Sequence, residues 1–205
     1  MHPNPAFRQT PAARNLAFAR DRGFGTLAVN ADAGPLLSHI PFLLADDGAS
    51  VELHLVRSNP ITAQLGSPQP AVMSILGPEG YISPDWYGAV DQVPTWNYVA
   101  VHLRGTLELL PQDTLRAMLD RLSAHFEARL LPKKPWSSSK MTDGVMERMM
   151  RMIVPCRLTI TDVQGTWKLA QNKPESARLG AATGLEALGP DGVRLAALMR
   201  AVVSD

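Results

Sequence analysis

Residues 93–105 read VPTWNYVAVHLRG, and the stretch alternates like a β-strand, whose successive side chains point to opposite faces. The face that looks like a core face carries Thr95, Asn97, Val99, Val101 and Leu103. The opposite face carries Trp96, Tyr98, Ala100, His102 and Arg104. Two large aromatics, an imidazole and a guanidinium are more than a solvent-facing strand needs, so this second face requires an explanation of its own.

The composition is that of an ordinary globular protein, with 45% hydrophobic and 19% charged residues in a chain of 205. We expect one domain spanning residues 1–205. The formal net charge of +1 gives only weak support for a nucleic-acid partner, because phosphate neutralisation needs a concentrated basic surface. The lone cysteine, Cys156, excludes an internal disulfide and fits a reducing compartment.

Targeting and catalytic motifs are absent from the sequence. The first residues, MHPNPAFRQTPAAR, lack a signal-peptide pattern, and no apolar run is long enough to cross a bilayer, so we expect a cytoplasmic protein with no membrane partner. The sequence has no G-x-S-x-G, Walker or G-x-G-x-x-G pattern, and its five histidines lack metal-ligand spacing, so we expect no metal. Catalytic residues stay unassigned, with His39 and Tyr81 as the two side chains to test as an acid or a base.

Strand-like segments joined by tight turns fill most of the chain and predict antiparallel pairing. The predicted strands are 24–30, 36–44, 50–56, 71–76, 80–87, 96–110 as the longest, and a hairpin over 156–172 that turns at Gln164-Gly165. The predicted helices follow Thr10-Pro11, follow Asn59-Pro60, cover 111–131 and 145–153, and form a tail from about residue 174 that is split at Gly189-Pro190. We therefore expect a mainly β or α+β fold, a barrel with peripheral helices.

The segment HLVRSNP, residues 54–60, is the most informative short motif. The motif predicts that a strand ends at Arg57 and that a helix begins after Ser58 or Asn59, with Pro60 at its first position. Exposed backbone N–H groups and the positive end of the helix dipole would then lie beside an arginine and a hydroxyl, which is the chemistry of a phosphate site. A plain helix cap beside a surface arginine explains the same residues, and on capping chemistry alone it is the more frequent arrangement.

The segment TWKLAQN, residues 166–172, places Lys168 next to Trp167. A lysine that leaves a strand beside an aromatic can serve a phosphate or a ring carbonyl. A solvated lysine beside a core tryptophan is the commoner reading of the same pattern.

Taken in order, the motifs HLVRSNP, GPEGYISPDWY, VPTWNYVAVHLRG, PW and TWKLAQNK resemble the PaiB-type family of FMN-binding negative transcriptional regulators. The resemblance runs from SHIPFLL, residues 38–44, to the tail. It implies an FMN-binding split β-barrel related to the pyridoxamine-phosphate-oxidase-like flavoproteins. It also implies a homodimer that holds FMN in a cleft between subunits.

The resemblance also implies roles for individual residues. Arg57, Ser58 and Asn59 match the segment expected to take the FMN phosphate. Lys168 and Gln171 match the late strand expected to reach the same cleft, from either subunit. His39, Trp96 and Asn97 are the candidates for the isoalloxazine end. Ala170 stands where the family commonly has a serine, which removes one hydroxyl contact.

A dimer would explain the second face of the strand at 96–104, because buried interfaces favour aromatics and arginine. Trp96, Tyr98, His102 and Arg104 would form the dimer seam, with the flavin at its edge. Cover by the predicted 111–131 helix explains the same face without a dimer. The function expected from the resemblance is an FMN-binding regulator. The alternatives are a flavin-dependent oxidoreductase or flavin reductase, and an interaction module without cofactor.

Overall fold

The structure, a computed structural model, describes residues 1–202, so the last three residues of the predicted domain lie outside the described part. The strands are β1 (Phe24–Val29), β2 (Leu36–Pro41), β3 (Leu43–Leu44), β4 (Ser50–Val56), β5 (Gln69–Ile82), β6 (Thr95–Leu109) and β7 (Ile153–Lys168). The helices are α1 (Ala12–Arg22), α2 (Pro60–Gln64), α3 (Leu115–Glu127), α4 (Val145–Met150), α5 (Glu175–Leu185) and α6 (Pro190–Arg200). None of the helices within residues 1–202 combines the length and apolarity that a bilayer crossing requires.

The strands form one seven-stranded sheet in the order β2-β1-β5-β6-β7-β4-β3. The pairs β1–β2, β1–β5, β3–β4 and β4–β7 are antiparallel, as the short turns predicted. In register, Thr26 lies opposite His39 of β2 and opposite Ser74 of β5, while Val51 lies opposite Leu158.

The chain divides into two compact units, and the expectation of a single domain stays a prediction. The first unit contains residues 1–15, 75–102 and those from 164 onward. The second unit contains residues 16–74 and 103–163. The predicted helical tail corresponds to α5 and α6, and both helices belong to the first unit.

The core of the first unit confirms the alternation read from the sequence of β6. Val99 and Val101 are fully buried, and Asn97, on the same face of β6, is 1% exposed. Helices α5 and α6 pack together and bury Leu185 and Leu195 completely. Burial of apolar side chains at this level is the main stabilising contribution to the unit.

The second unit packs its core around β4, where Val51, Leu53 and Leu55 are at most 1% exposed. Helix α3 lies against this strand, and Arg121 of α3 forms an ion pair of 2.7 Å with Glu52. Helix α1 ends at Gly23, whose φ of +59° is the left-handed conformation of a helix C-terminus. The start near Pro11 and the end at Gly23 were both predicted from the sequence.

Two strand predictions are wrong. The segments 71–76 and 80–87 are not separate strands, because β5 runs without a break over Gln69–Ile82 and the PDWY segment forms a 3-10 turn. The hairpin at Gln164-Gly165 is also absent, because β7 continues through both residues and is longer than β6. Gly165 is needed for close packing instead, since a Cβ there would lie 2.2 Å from Oδ1 of Asn15.

Candidate functional site

The junction between β4 and α2 has the local structure predicted from HLVRSNP. The strand ends at Val56, and Asn59 caps α2 by accepting a hydrogen bond of 2.9 Å from the backbone N–H of Ile61. Pro60 occupies the first helical position, where its missing N–H costs nothing. The amide of Asn59 also donates to Oγ of Ser38 at 3.1 Å, which ties the junction to β2.

The guanidinium of Arg57 is held by the segment that leads into β7. Its Nε donates to the carbonyl of Arg151 at 3.1 Å, and its Nη2 donates to Oε1 of Gln112 at 3.2 Å and to the carbonyl of Ile153 at 3.4 Å. The amide of Gln112 in turn donates to the carbonyls of Met150 and Ile153. Arg57 is exposed and forms no ion pair with a carboxylate among residues 1–202. Neutral acceptors therefore orient its guanidinium, and no carboxylate in that range compensates its positive charge.

Two further groups complete this part of the second unit. The hydroxyl of Ser58 is exposed and has no hydrogen-bond partner within the described residues. His54, on β4, has a buried Nδ1 without a partner in the same range, and burial lowers the pKa of His54 below its ordinary value. The lowered pKa of His54 favours its neutral form, because burial penalises the charged imidazole.

His39 lies on β2 in the same unit but on a different face from Ser38, the partner of Asn59. Neighbouring residues of a strand point to opposite faces. His39 is exposed, and its Nδ1 is 2.9 Å from Oγ1 of Thr26 on β1. The structure therefore brings Arg57, Ser58 and Asn59 together and leaves His39 apart from them.

Among the predicted residues of the first unit, Lys168 at the end of β7 contacts the start of β6. The ammonium of Lys168 donates to Oγ1 of Thr95 at 2.5 Å and lies 5.9 Å from the centre of the Phe7 ring. Gln171 builds the turn that follows β7: its Oε1 accepts from the N–H of Leu169, and its Nε2 donates to the carbonyls of Trp167 and Ala6. The amide of Gln171 is therefore committed to backbone groups.

Trp96 and Asn97 lie on opposite faces of β6. Trp96 is 52% exposed and packs edge to face against Tyr81, with ring centres 6.3 Å apart. Asn97 is buried in the core, where its Nδ2 donates to Sδ of Met199 at 3.4 Å and its Oδ1 has no partner within residues 1–202. Of these two, only Trp96 presents its side chain at the surface.

Sequence reasoning missed Gln112 and Lys173. Gln112 follows Pro111 in a helical-looking segment, and nothing local indicates that it reaches Arg57, 55 positions away. Lys173 ends the TWKLAQNK motif, and its ammonium donates to Oε1 of Gln92 at 2.5 Å and lies 4.4 Å from the centre of the Tyr87 ring. Partial burial lowers the pKa of Lys168, and the charge of Lys173 lowers it further.

Comparison with known proteins identifies the family. Residues 1–162 match the model of the family described as "Putative FMN-binding domain". The chain belongs to this family. It is also 30% identical over 176 residues to the protein named "Protease synthase and sporulation protein PAI 2" of Bacillus subtilis, which is PaiB, with 83% of this chain and 82% of that protein covered. The resemblance found in the motifs is thereby confirmed.

Solved structures show the same fold at low identity. A FAD and heme binding protein from Mycobacterium smegmatis matches with a TM-score of 0.58 and 18% identity, over 79% of this chain and 73% of that one. The flavocytochrome Anf3 from Azotobacter vinelandii matches with a TM-score of 0.52 and 14% identity, over 82% of this chain and 72% of that one. The predicted fold class, an α+β split barrel with peripheral helices, is confirmed.

Within residues 1–202, no three histidine, cysteine, aspartate or glutamate side chains lie close enough together to hold a metal ion.

The family and the fold together support a flavin cofactor.

Proposed function

We propose that this protein binds FMN as a homodimer and acts as a regulator of the negative transcriptional type. The observation that carries the proposal is the uncompensated Arg57 beside the free hydroxyl of Ser58, in a chain of the FMN-binding family. Flavin bound here would supply reversible electron transfer, which suits either a redox-sensing regulator or an enzyme. The lone, buried Cys156 agrees with a reducing, cytoplasmic setting.

The β4–α2 junction fits the phosphate end of FMN. A phosphate monoester carries close to two negative charges and three strong acceptor oxygens. Arg57 offers charge and a planar set of donors, and Ser58 offers a hydroxyl that no other described residue uses. Asn59 holds the turn open through its cap on α2, so we assign it a supporting role rather than a direct contact.

The other predicted contacts differ in how easily they could reach a flavin ring. Trp96 offers an exposed aromatic surface, and His39 offers an exposed imidazole. Asn97 could touch a ligand only if its core opened, so we assign its amide to packing against Met199. Gln171 shapes the turn that follows β7, and Lys168 offers a cation there whose ammonium donates to Thr95.

The dimer part of the proposal rests on the exposed aromatic pair of the first unit. Trp96 is 52% and Tyr81 44% exposed, which is unusual for two large aromatics in contact. Aromatic side chains are enriched at the centres of protein interfaces. A two-fold dimer would bring the same pair from each subunit to one seam.

The experiment is a visible absorption spectrum of the purified protein before and after FMN is added and excess is removed. We expect one FMN per subunit, and a loss of affinity of roughly 10- to 100-fold in Arg57→Ala, since a charge-assisted hydrogen bond is lost. Arg194→Ala is the matched control, because Arg194 is an exposed arginine on α6 whose ion pair with Asp191 is fully at the surface. An unchanged affinity in Arg57→Ala contradicts the phosphate assignment.

Two further assays separate regulator from enzyme. Binding to promoter DNA that weakens steeply with salt supports a direct repressor, because such contacts release counterions from the phosphates. Steady consumption of NADH or NADPH by the FMN-loaded protein supports a flavin reductase instead. A protein that takes up no FMN leaves the interaction module as the remaining alternative.

A further inference from the structure

The turn after β7 brings two lysines into one place in the first unit. Lys168 ends β7, and Lys173 follows after a turn in which Ala170 adopts the left-handed conformation, with φ +59°. The N–H of Lys173 donates to the carbonyl of Ala170 at 3.0 Å, which closes the turn. The side-chain amide of Gln171 also stabilises this turn, because it bonds to the backbone groups of Leu169 and Trp167. These hydrogen bonds fix the backbone that carries Lys168 and Lys173.

Both ammonium groups are partnered by neutral oxygens only. Lys168 donates to the hydroxyl of Thr95, and Lys173 donates to the side-chain carbonyl of Gln92, three residues earlier in the chain than Thr95. Neither lysine forms an ion pair with a carboxylate among residues 1–202. Asp91, the sequence neighbour of Gln92, is exposed and is not paired with either of them within that range.

Two half-buried ammonium groups near each other cost free energy unless an anion offsets them. Both lysines are only partly exposed, and each lies over an aromatic ring, Phe7 for Lys168 and Tyr87 for Lys173. The lowered pKa of Lys168 has burial and the charge of Lys173 as its causes. A bound anion would remove this repulsion, because an opposite charge favours the charged form of each lysine.

A buried hydroxyl group without a partner among residues 1–202 belongs to the aromatic ring that Lys173 contacts. The hydroxyl of Tyr87 is buried in a residue that is 4% exposed, and it has no hydrogen-bond partner within residues 1–202. The ring that carries this hydroxyl is the ring under Lys173. Buried hydroxyls in native proteins nearly always have a partner, so an unpartnered one on the ring that Lys173 contacts indicates a missing acceptor.

We propose that Lys168 and Lys173 form a second anion site, which binds inorganic phosphate or the phosphate group of a small phosphate monoester. A phosphate has the charge of close to −2 that two ammonium groups match. The site lies wholly in the first unit, whereas Arg57 and Ser58 belong to the second. The proposal therefore goes beyond the FMN phosphate contact and does not rest on it, although it reassigns Lys168 from the flavin to this second ligand.

The test is acetylation of the purified protein, with its flavin, by a low dose of acetic anhydride, followed by mass spectrometry of each lysine. Inorganic phosphate is added at constant ionic strength, with chloride as the balancing salt. We expect phosphate to slow acetylation of Lys168 and Lys173 several-fold and to leave the exposed Lys134 and Lys140 unchanged. Equal protection by chloride, or equal protection of all four lysines, overturns the proposal.

Variants provide a second readout by calorimetric titration with inorganic phosphate. Lys168→Gln and Lys173→Gln should each weaken the binding roughly tenfold or more, since each removes a charge-assisted hydrogen bond. Lys134→Gln, the matched control, should leave this binding unchanged. If Lys168→Gln does not fold, Lys173→Gln and the acetylation of the wild type still decide the question.

Acetylation in the presence of FMN or riboflavin separates this proposal from the proposed function. FMN and riboflavin differ only in the phosphate group. Protection of the two lysines by FMN, with none by riboflavin or inorganic phosphate, would assign the lysines to the cofactor and overturn the second site. Phosphate protection without FMN binding would support the second site while the proposed function fails.

Discussion

The indole Nε1 of Trp167 donates a hydrogen bond of 2.8 Å to Oδ1 of Asn15, although the two residues are 152 positions apart. Both are almost fully buried, at 5% and 2% exposed. Gly165 allows this contact, because a side chain at that position would collide with the Asn15 amide. The start of α1 is thereby tied to the end of β7, next to the turn that carries Lys168.

Asn15→Ala should destabilise the protein by about 1–3 kcal/mol, because it leaves the buried indole N–H of Trp167 without its acceptor. Asn15→Asp should cost at least as much, because it keeps an acceptor oxygen but buries a carboxylate and loses the amide donor to the carbonyl of Thr10. Urea unfolding followed by circular dichroism measures both. Asn172→Ala is the control, since Asn172 is exposed. An equal loss of unfolding free energy in Asn172→Ala and Asn15→Ala would contradict a stabilising role of the hydrogen bond between Asn15 and Trp167.

Gln112 should position Arg57 for the proposed FMN phosphate. Gln112→Ala removes one of the three acceptors that orient the guanidinium, so we expect FMN to bind roughly 3- to 10-fold more weakly. Gln112→Glu should weaken FMN further, because its carboxylate would pair with Arg57 and repel the phosphate. Fluorescence titration with FMN measures the affinities.

The control for these variants is Gln69→Ala, since within the described residues the amide of Gln69 bonds only to Ser67. Restoration of affinity in Gln112→Glu relative to Gln112→Ala would contradict the electrostatic part of this prediction. A purely structural role would lower thermal stability in both variants and leave the affinity of the folded protein unchanged.

Cys156 should be unreactive in the folded protein. Burial raises the pKa of Cys156 from its ordinary 9.0 to about 12, since the buried thiolate is poorly solvated. Its contribution to stability is present below pH 9 and is lost as the pH rises towards 12, because only the unfolded chain releases the proton in that range. Ellman's reagent should therefore react with the thiol at pH 8 only after denaturant is added; rapid reaction with the native protein contradicts the burial.

Trp96→Glu should shift the proposed dimer towards monomer. A charge at the centre of an apolar interface typically weakens association by about 30-fold or more. Sedimentation velocity over a range of protein concentrations measures the change. Trp136→Glu is the matched control, because Trp136 is also exposed, at 38%, and lies in the second unit. A wild-type protein that stays monomeric at every concentration would rule out the seam.

Local patterns predicted the parts of the structure that depend on neighbouring residues. The alternation of β6, the cap at Asn59, the stop at Gly23 and the break between α5 and α6 at Gly189 all follow from short-range sterics and hydrogen bonding. The strand-to-helix junction of the proposed phosphate site was therefore predicted to within a residue. The order of the motifs along the chain was also sufficient to indicate the family.

Glycine was the main source of error in the strand predictions. Gln164-Gly165 has the composition of a two-residue hairpin turn, yet β7 passes through it because Gly165 packs against Asn15. The sequence alone does not distinguish a glycine that turns the chain from one that admits a close neighbour. The difference depends on a residue 150 positions earlier in the printed sequence.

The residue types along the chain decided which segments are strands and helices, because backbone propensity and burial period act over a few residues. Only the tertiary structure decided that Arg57 is held by Gln112 and the carbonyls of Arg151 and Ile153. It also decided that Lys168 and Lys173 lie at one turn without an ion pair to a carboxylate among residues 1–202. These arrangements join groups separated by up to 96 positions, and their energies depend on distance and burial in space. Charge placement at the candidate sites is therefore a property of the folded chain, while the fold that carries it was already readable in its periodicity.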